Sequence, residues 1–133
     1  MHDDDDLVYV YVAGPYTGRH HDHRSYFEID RNITDATEMC ALLAKHGYAF
    51  FNPHSHSAHF ESITPEVKPA YWYKLDMHFL RVCDALLMLP TWGRSSGARA
   101  ERDWAVANGV PVFYSLDELL EKMPPNSKKT GGG

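Results

Sequence analysis

Two carboxylates and a run of small polar residues hold the chemistry this chain can offer. Glu101 closes the segment Trp92-Gly93-Arg94-Ser95-Ser96-Gly97-Ala98-Arg99-Ala100-Glu101. An apolar run, Asp84 to Pro90, precedes that segment and reads as a buried parallel strand; a helical run follows from Ala98 to Asn108. A small-residue turn between such a strand and helix leaves backbone N–H groups free at the helix N-terminus, where an anion can sit. A carboxylate one turn into the helix faces whatever the turn holds. The competing reading is that Glu101 only caps its helix, because early acidic residues stabilise helix starts. Asp76 is the second carboxylate. It sits mid-helix among aromatic and apolar residues, where Asp is a poor helix former and needs a reason. Either it faces solvent or it points at the crevice near Glu101. Two carboxylates in one crevice suit glycosidic-bond chemistry, in which one attacks or stabilises the sugar cation and the other manages a proton.

Other residues narrow the ligand. Gly14-Pro15-Tyr16-Thr17-Gly18 is too short for a dinucleotide fingerprint and lacks the Lys of a P-loop, which argues against a nicotinamide or ATP enzyme. No cofactor is expected. Tyr16, at a strand tip, either meets a ligand or covers a core edge. His54, His56 and His59 form an H-x-H-x-x-H cluster. Three His side chains can ligate zinc. With no helix to present them on one face and no Cys nearby, they read instead as polar loop residues near an anionic ligand, and no metal is expected.

These side chains need a scaffold. At 133 residues the chain is one domain by size, and its 44% hydrophobic content suffices for a single core. The net charge of −5 argues against a nucleic-acid polymer as partner but not against a nucleotide. Cys40 and Cys83 read as core thiols of a reduced compartment rather than a disulfide. Neither a membrane-spanning stretch nor a signal peptide is visible, which gives a cytoplasmic location.

Strands are expected at Leu7–Val12, Tyr48–Phe51, Asp84–Leu89 and Val110–Tyr114. Helices are expected at Asp30–His46, ended by Gly47, at Ala70–Val82 with Trp72, Leu75, Phe79 and Val82 inward, from Ala98, and at Leu116–Met123. Ser55 to Pro69 shows no periodicity and reads as a long loop. Residues 1–123 form the domain, and 124–133 have the composition of a flexible tail. Alternating strands and helices imply an α/β fold, a parallel sheet with helices on both faces. The ligand crevice of such a sheet lies beyond the carboxyl ends of its strands. Gly14–Gly18, Asn52–His54 and Thr91–Gly97 converge there.

Taken together, Ala13-Gly14-Pro15-Tyr16, Phe51-Asn52-Pro53-His54, Asp76 eight residues before Asp84, and Ser95-x-Gly97-x-x-x-Glu101 resemble the nucleoside 2-deoxyribosyltransferase superfamily. The resemblance covers about Val8 to Phe113. It implies a Rossmann-like or flavodoxin-like three-layer fold with four to five parallel strands, in a homo-oligomeric enzyme that cleaves N-glycosidic bonds. It also implies Glu101 as the nucleophile for C1′, Asp76 as the carboxylate that protonates or orients the base, and Tyr16 as a ring of the sugar and base pocket. Gly14, Asn52 and His54 belong to the matching turns.

One departure is informative. Relatives acting on free nucleosides carry an Asp six residues before the nucleophile; here that position is Ser95. A carboxylate would repel a 5′-phosphate, whereas a hydroxyl, Ser96, Gly97 and a helix N-terminus attract one. Arg19 and Arg94 can add charge-assisted bonds. Ser115 is the candidate contributed from a neighbouring subunit. The resulting expectation is hydrolysis of a nucleoside 5′-monophosphate to free base and (deoxy)ribose 5-phosphate. The alternatives are base exchange by a deoxyribosyltransferase and a non-catalytic nucleotide-sensing module. Aromatic and apolar residues around the whole of helix 70–82 lead to the expectation of a homodimer or larger even-numbered oligomer.

Overall fold

The computed structural model describes residues 6–16, 26–56, 58 and 60–128. Four strands, β1 (Tyr9–Ala13), β2 (Ala49–Phe51), β3 (Ala85–Met88) and β4 (Val112–Phe113), form one all-parallel sheet in the order β2-β1-β3-β4. The helices are α1 (Tyr26–Lys45), α2 (Pro53–His56), α3 (Phe60–Ile63), α4 (Pro69–Leu80), α5 (Ser96–Ala107) and α6 (Leu116–Lys122). This is a Rossmann-like three-layer architecture, with the parallel sheet between helices that the alternation of elements predicts.

The alternating side chains of β1 divide the core in two. Val10 and Val12 turn to a layer with Ala36, Cys40 and Leu43 of α1 and Leu119 of α6. Tyr11 and Ala13 turn to the opposite layer with Met77 and Leu80 of α4 and Ala98 and Ala105 of α5. From β1 the chain moves outward to β2; from β3 it moves the other way to β4. The carboxyl ends of β1 and β3 therefore flank the point where strand order reverses, the place where such sheets bind ligands.

Two expectations change. The stretch expected as a loop from Ser55 holds the single-turn helices α2 and α3, and one turn is too short to display a period. Asn52 starts α2: its Oδ1 accepts the His54 N–H at 3.1 Å and its carbonyl accepts the His56 N–H at 3.1 Å, with Pro53 in the first helical position. On α4 the inward face is set by Met77 and Leu80, while Val82 lies beyond the helix and is 74% exposed. The other boundaries shift by a few residues, most at α1, which begins at Tyr26. Gly47 ends that helix at φ +91°, a conformation suited to glycine.

The two thiols are free, Cys40 buried in the α1 layer and Cys83 half-buried in the other. Residues 124–128 return to the amino-terminal edge of the sheet. There Asp84 accepts the Tyr9 N–H at 2.8 Å and pairs with Lys128 Nζ at 2.8 Å. Among the described residues no helix is long and apolar enough to cross a membrane.

Candidate functional site

Glu101 and Asp76 meet beneath the sheet. Glu101 lies in the second turn of α5, only 7% exposed, and accepts a hydrogen bond at Oε2 from the Tyr11 hydroxyl. Asp76 reaches in from α4. Its Oδ1 is buried and has no hydrogen-bond partner. Burial pushes the Glu101 carboxyl up to about 7, against the Tyr11 bond and with help from the Asp76 charge. Burial alone brings Asp76 to about 7. The Tyr11 phenol is held well above its ordinary value by burial and then by the charges of Glu101 and Asp76. Tyr73, one turn before Asp76 on α4, is raised by burial and by the Glu101 charge, and is 37% exposed.

Aromatic rings wall one side of the site. Tyr11 and Phe51 have ring centroids 5.6 Å apart; Phe51 and Phe79 stack at 4.1 Å; His56 stands 5.3 Å from each of these two. A planar heteroaromatic group suits such a surface.

The turn after β3 is ordered by its own side chains. Ser95 caps α5, its Oγ accepting the Ala98 N–H at 3.1 Å. Capping therefore falls to Ser95, and Glu101 is left to pair with Tyr11. Helix geometry leaves the N–H groups of Ser96 and Gly97 without partners inside α5. Arg99 donates from Nη1 to the Gly93 carbonyl at 2.6 Å, and Arg102 lies over the Trp92 ring at 4.9 Å, so neither is turned to the carboxylates. Arg94 is exposed in the short 3-10 turn Trp92–Arg94.

The turns after β1 and β2 are bolted together. His54 is 4% exposed; its Nε2 makes a 2.7 Å hydrogen bond with the Pro15 carbonyl. Burial lowers its pKa. It is thus a neutral imidazole that donates from Nε2, and its Nδ1 is buried without a partner. Tyr16 lies against it, ring centroids 5.9 Å apart, and the Tyr16 carbonyl accepts from Asn32 Nδ2 at 3.0 Å. A Cβ at Gly14 would stand 2.7 Å from Leu89 Cδ1, so only glycine lets the β1 turn rest on the β3 turn.

The structure thus brings Glu101 and Asp76 together. It places Tyr16, Asn52, His54, Ser95, Ser96 and Gly97 in the turns at the carboxyl ends of the strands. Ser115 caps α6 beyond β4, accepting the Glu118 N–H at 3.1 Å. Arg19 and His59 lie outside the described residues. Among the described residues no group of His, Cys, Asp and Glu is arranged to hold a metal. Sequence reasoning missed Tyr11; a tyrosine inside the Val-rich strand Tyr9–Ala13 was the available signal, since a buried phenol needs a partner. A cavity of about 320 Å3 opens on the α1 side of the same turns, between Pro15, Asn32, Asp35, Glu38, Leu89 and Thr91. It does not include the two carboxylates, which lie on the other face of the sheet.

Fold and site together define a parallel α/β protein with a tyrosine-held carboxylate pair under its strand-order switch. The chain belongs to the family described as a domain of unknown function, DUF1937, whose model matches residues 8–116. No curated protein matches the chain.

Proposed function

We propose that this protein is an N-glycosidase that hydrolyses a nucleoside 5′-monophosphate to free base and (deoxy)ribose 5-phosphate. The observation that carries this reading is Glu101 held by the Tyr11 hydroxyl with Asp76 beside it. Two buried carboxyl groups that interact do not both ionise readily, so near neutral pH the pair holds one proton. On this reading the Tyr11 hydroxyl, donating to Glu101, makes that carboxyl the charged partner, and the proton is assigned to Asp76, whose buried Oδ1 has no hydrogen-bond partner among the described residues. That is the distribution the chemistry requires: an ionised nucleophile and a protonated acid.

In the first step a Glu101 oxygen bonds to C1′ as the C1′–N bond breaks. The electron pair of that bond goes to the base nitrogen, which takes the Asp76 proton. In the second step Asp76, now ionised, takes a proton from water. The hydroxide bonds to C1′ and Glu101 leaves as carboxylate. The Ser96 and Gly97 N–H groups and the Ser95 hydroxyl are the donors for the 5′-phosphate. The resemblance to the nucleoside 2-deoxyribosyltransferase superfamily, and Ser95 in place of the Asp of nucleoside-specific relatives, support the choice of a monophosphate.

Assembly is part of the same proposal. Phe60 and Ile63 of α3 and Tyr71 and Tyr73 of α4 are all at least 36% exposed, the most open being Ile63 at 73%. A second copy of the chain covering this aromatic surface would lie beside the carboxylate site.

The test is incubation with each common nucleoside 5′-monophosphate and chromatography of the released base, with and without a foreign base. Free base and sugar phosphate are expected. A swapped nucleotide as main product would replace the hydrolase with a transferase. Binding without turnover would leave only a sensing module.

A further inference from the structure

Besides Asp76 Oδ1 and His54 Nδ1, Trp72 Nε1 is a side-chain polar atom buried without a hydrogen-bond partner. A buried donor left unpaired carries a desolvation penalty that native structures normally avoid. On α4, Trp72, Asp76 and Phe79 are spaced i, i+4 and i+7 and so form one row along the helix. Two unpaired buried polar atoms, an N–H and a carboxyl oxygen, thus neighbour each other along that row. Both ends of the row are aromatic. Trp72 packs edge-on against Phe60 at 5.1 Å and Tyr71 at 5.0 Å; Phe79 stacks on Phe51 and touches His56. These contacts fix the indole ring by apolar packing and leave its N–H unspent.

The helix direction places the row at the site. α4 leads into β3, so its N-terminal half, with Trp72, lies towards the carboxyl ends of the strands, and Asp76 lies one turn deeper.

We propose that Trp72 is a specificity-determining residue: its indole N–H donates a hydrogen bond to an acceptor on the heteroaromatic leaving group whose glycosidic nitrogen Asp76 protonates. This rests on the N-glycosidase reading and names the substrate feature it lacked. The accepted base carries a carbonyl oxygen or unprotonated ring nitrogen within one helical turn of the nitrogen that receives the proton. Indole is a donor only, so a protonated nitrogen or an amine at that place is rejected.

The test compares wild type with Trp72→Phe, which keeps an aromatic ring and removes the N–H. Each is assayed on the best nucleoside 5′-monophosphate and on its deaza or deoxo analogues, which lack single acceptors. Binding of the same compounds is measured by calorimetry on Glu101→Gln and on the Glu101→Gln, Trp72→Phe double variant. The expected result is a loss of about 10- to 100-fold in kcat/KM or affinity for the parent nucleotide, with little further loss for one particular analogue. A purely structural Trp72 would lower the melting temperature and leave the parent-to-analogue ratio unchanged, and that outcome overturns the proposal. If wild type binds with this Trp72 dependence but cleaves nothing, the recognition role stands and the hydrolase reading falls. If nothing binds, both fall.

Discussion

Replacing Tyr11 by Phe tests the reasoning at its most exposed point. The ring stays in its place between Phe51 and the α4–α5 layer, and only the donor to Glu101 disappears. A hydrogen bond to a charged acceptor contributes about 1.5–3 kcal/mol. On the proposed reading the proton of the pair sits on Asp76 with that bond in place, and Glu101 is ionised. Without it the preference shifts by the same amount, a factor of about 10 to 150. Burial then governs, and Glu101 is the more deeply buried partner, so the proton moves to the nucleophile. kcat on a nucleoside 5′-monophosphate should therefore fall by roughly one to two orders of magnitude. The same energy divided by about 1.4 kcal/mol per unit should move the acid limb of the pH–rate profile upward by roughly one to two units, from near 7. The assay is kcat against pH between 5 and 9, with carboxyl titration of Glu-labelled protein by NMR as a control independent of turnover. A fall below about threefold, with neither the limb nor the NMR titration displaced, would show that the Tyr11 bond does not govern the nucleophile.

Glu101→Gln should lower kcat by at least ~10³-fold, as loss of a central catalytic group does, with the fold retained. Its stability should also depend differently on pH: the Glu101 carboxyl, raised from 4.5 to about 7, contributes a loss of about 3 kcal/mol as pH climbs through that window, and the Gln variant should lack this share in denaturant midpoints while keeping the one from Asp76, raised from 3.8 to about 7. A nucleoside 5′-monophosphate should be cleaved at least ~10³-fold more efficiently than the matching nucleoside, since two or three donors at Ser95–Gly97 lose their anion; equal kcat/KM values would remove the phosphate from the reading. Gly14→Ala should cost about 1–3 kcal/mol, because its methyl would meet Leu89 at 2.7 Å, and thermal melts read this directly. Light scattering at micromolar concentration should give at least a dimer, and Tyr71→Asp should weaken it; a fully active monomer of 15.2 kDa would refute the assembly.

The parts legible in the sequence were those with a repeating signal. Four apolar strands alternating with amphipathic helices gave the parallel sheet, and Gly47 marked a helix end; the sequence puts the start of α5 at Ala98, with Glu101 as its candidate cap, whereas Ser95 caps it. α2 and α3 were not legible because a single turn has no period to detect. The phase of α4 was misjudged because its aromatic residues occupy almost every face, so hydrophobicity alone could not rank Val82 below Met77 and Leu80. The carboxylate pair was legible as residue types. The group that separates their roles was not: Tyr11 reads as an ordinary strand aromatic until the sheet is folded and its hydroxyl is seen on Glu101.

The seating of Gly14 on Leu89 makes the turns after β1 and β3 a single floor. His54, through the Pro15 carbonyl, ties the turn after β2 to the same floor. That floor therefore has little freedom to vary: a larger side chain at position 14 collides with Leu89, and a changed residue at 54 unties two turns together. The rim is different: on α3 and the outward positions of α4 side chains stand in solvent, Ile63 73% and Tyr71 54% exposed, so a substitution there leaves the floor as it is.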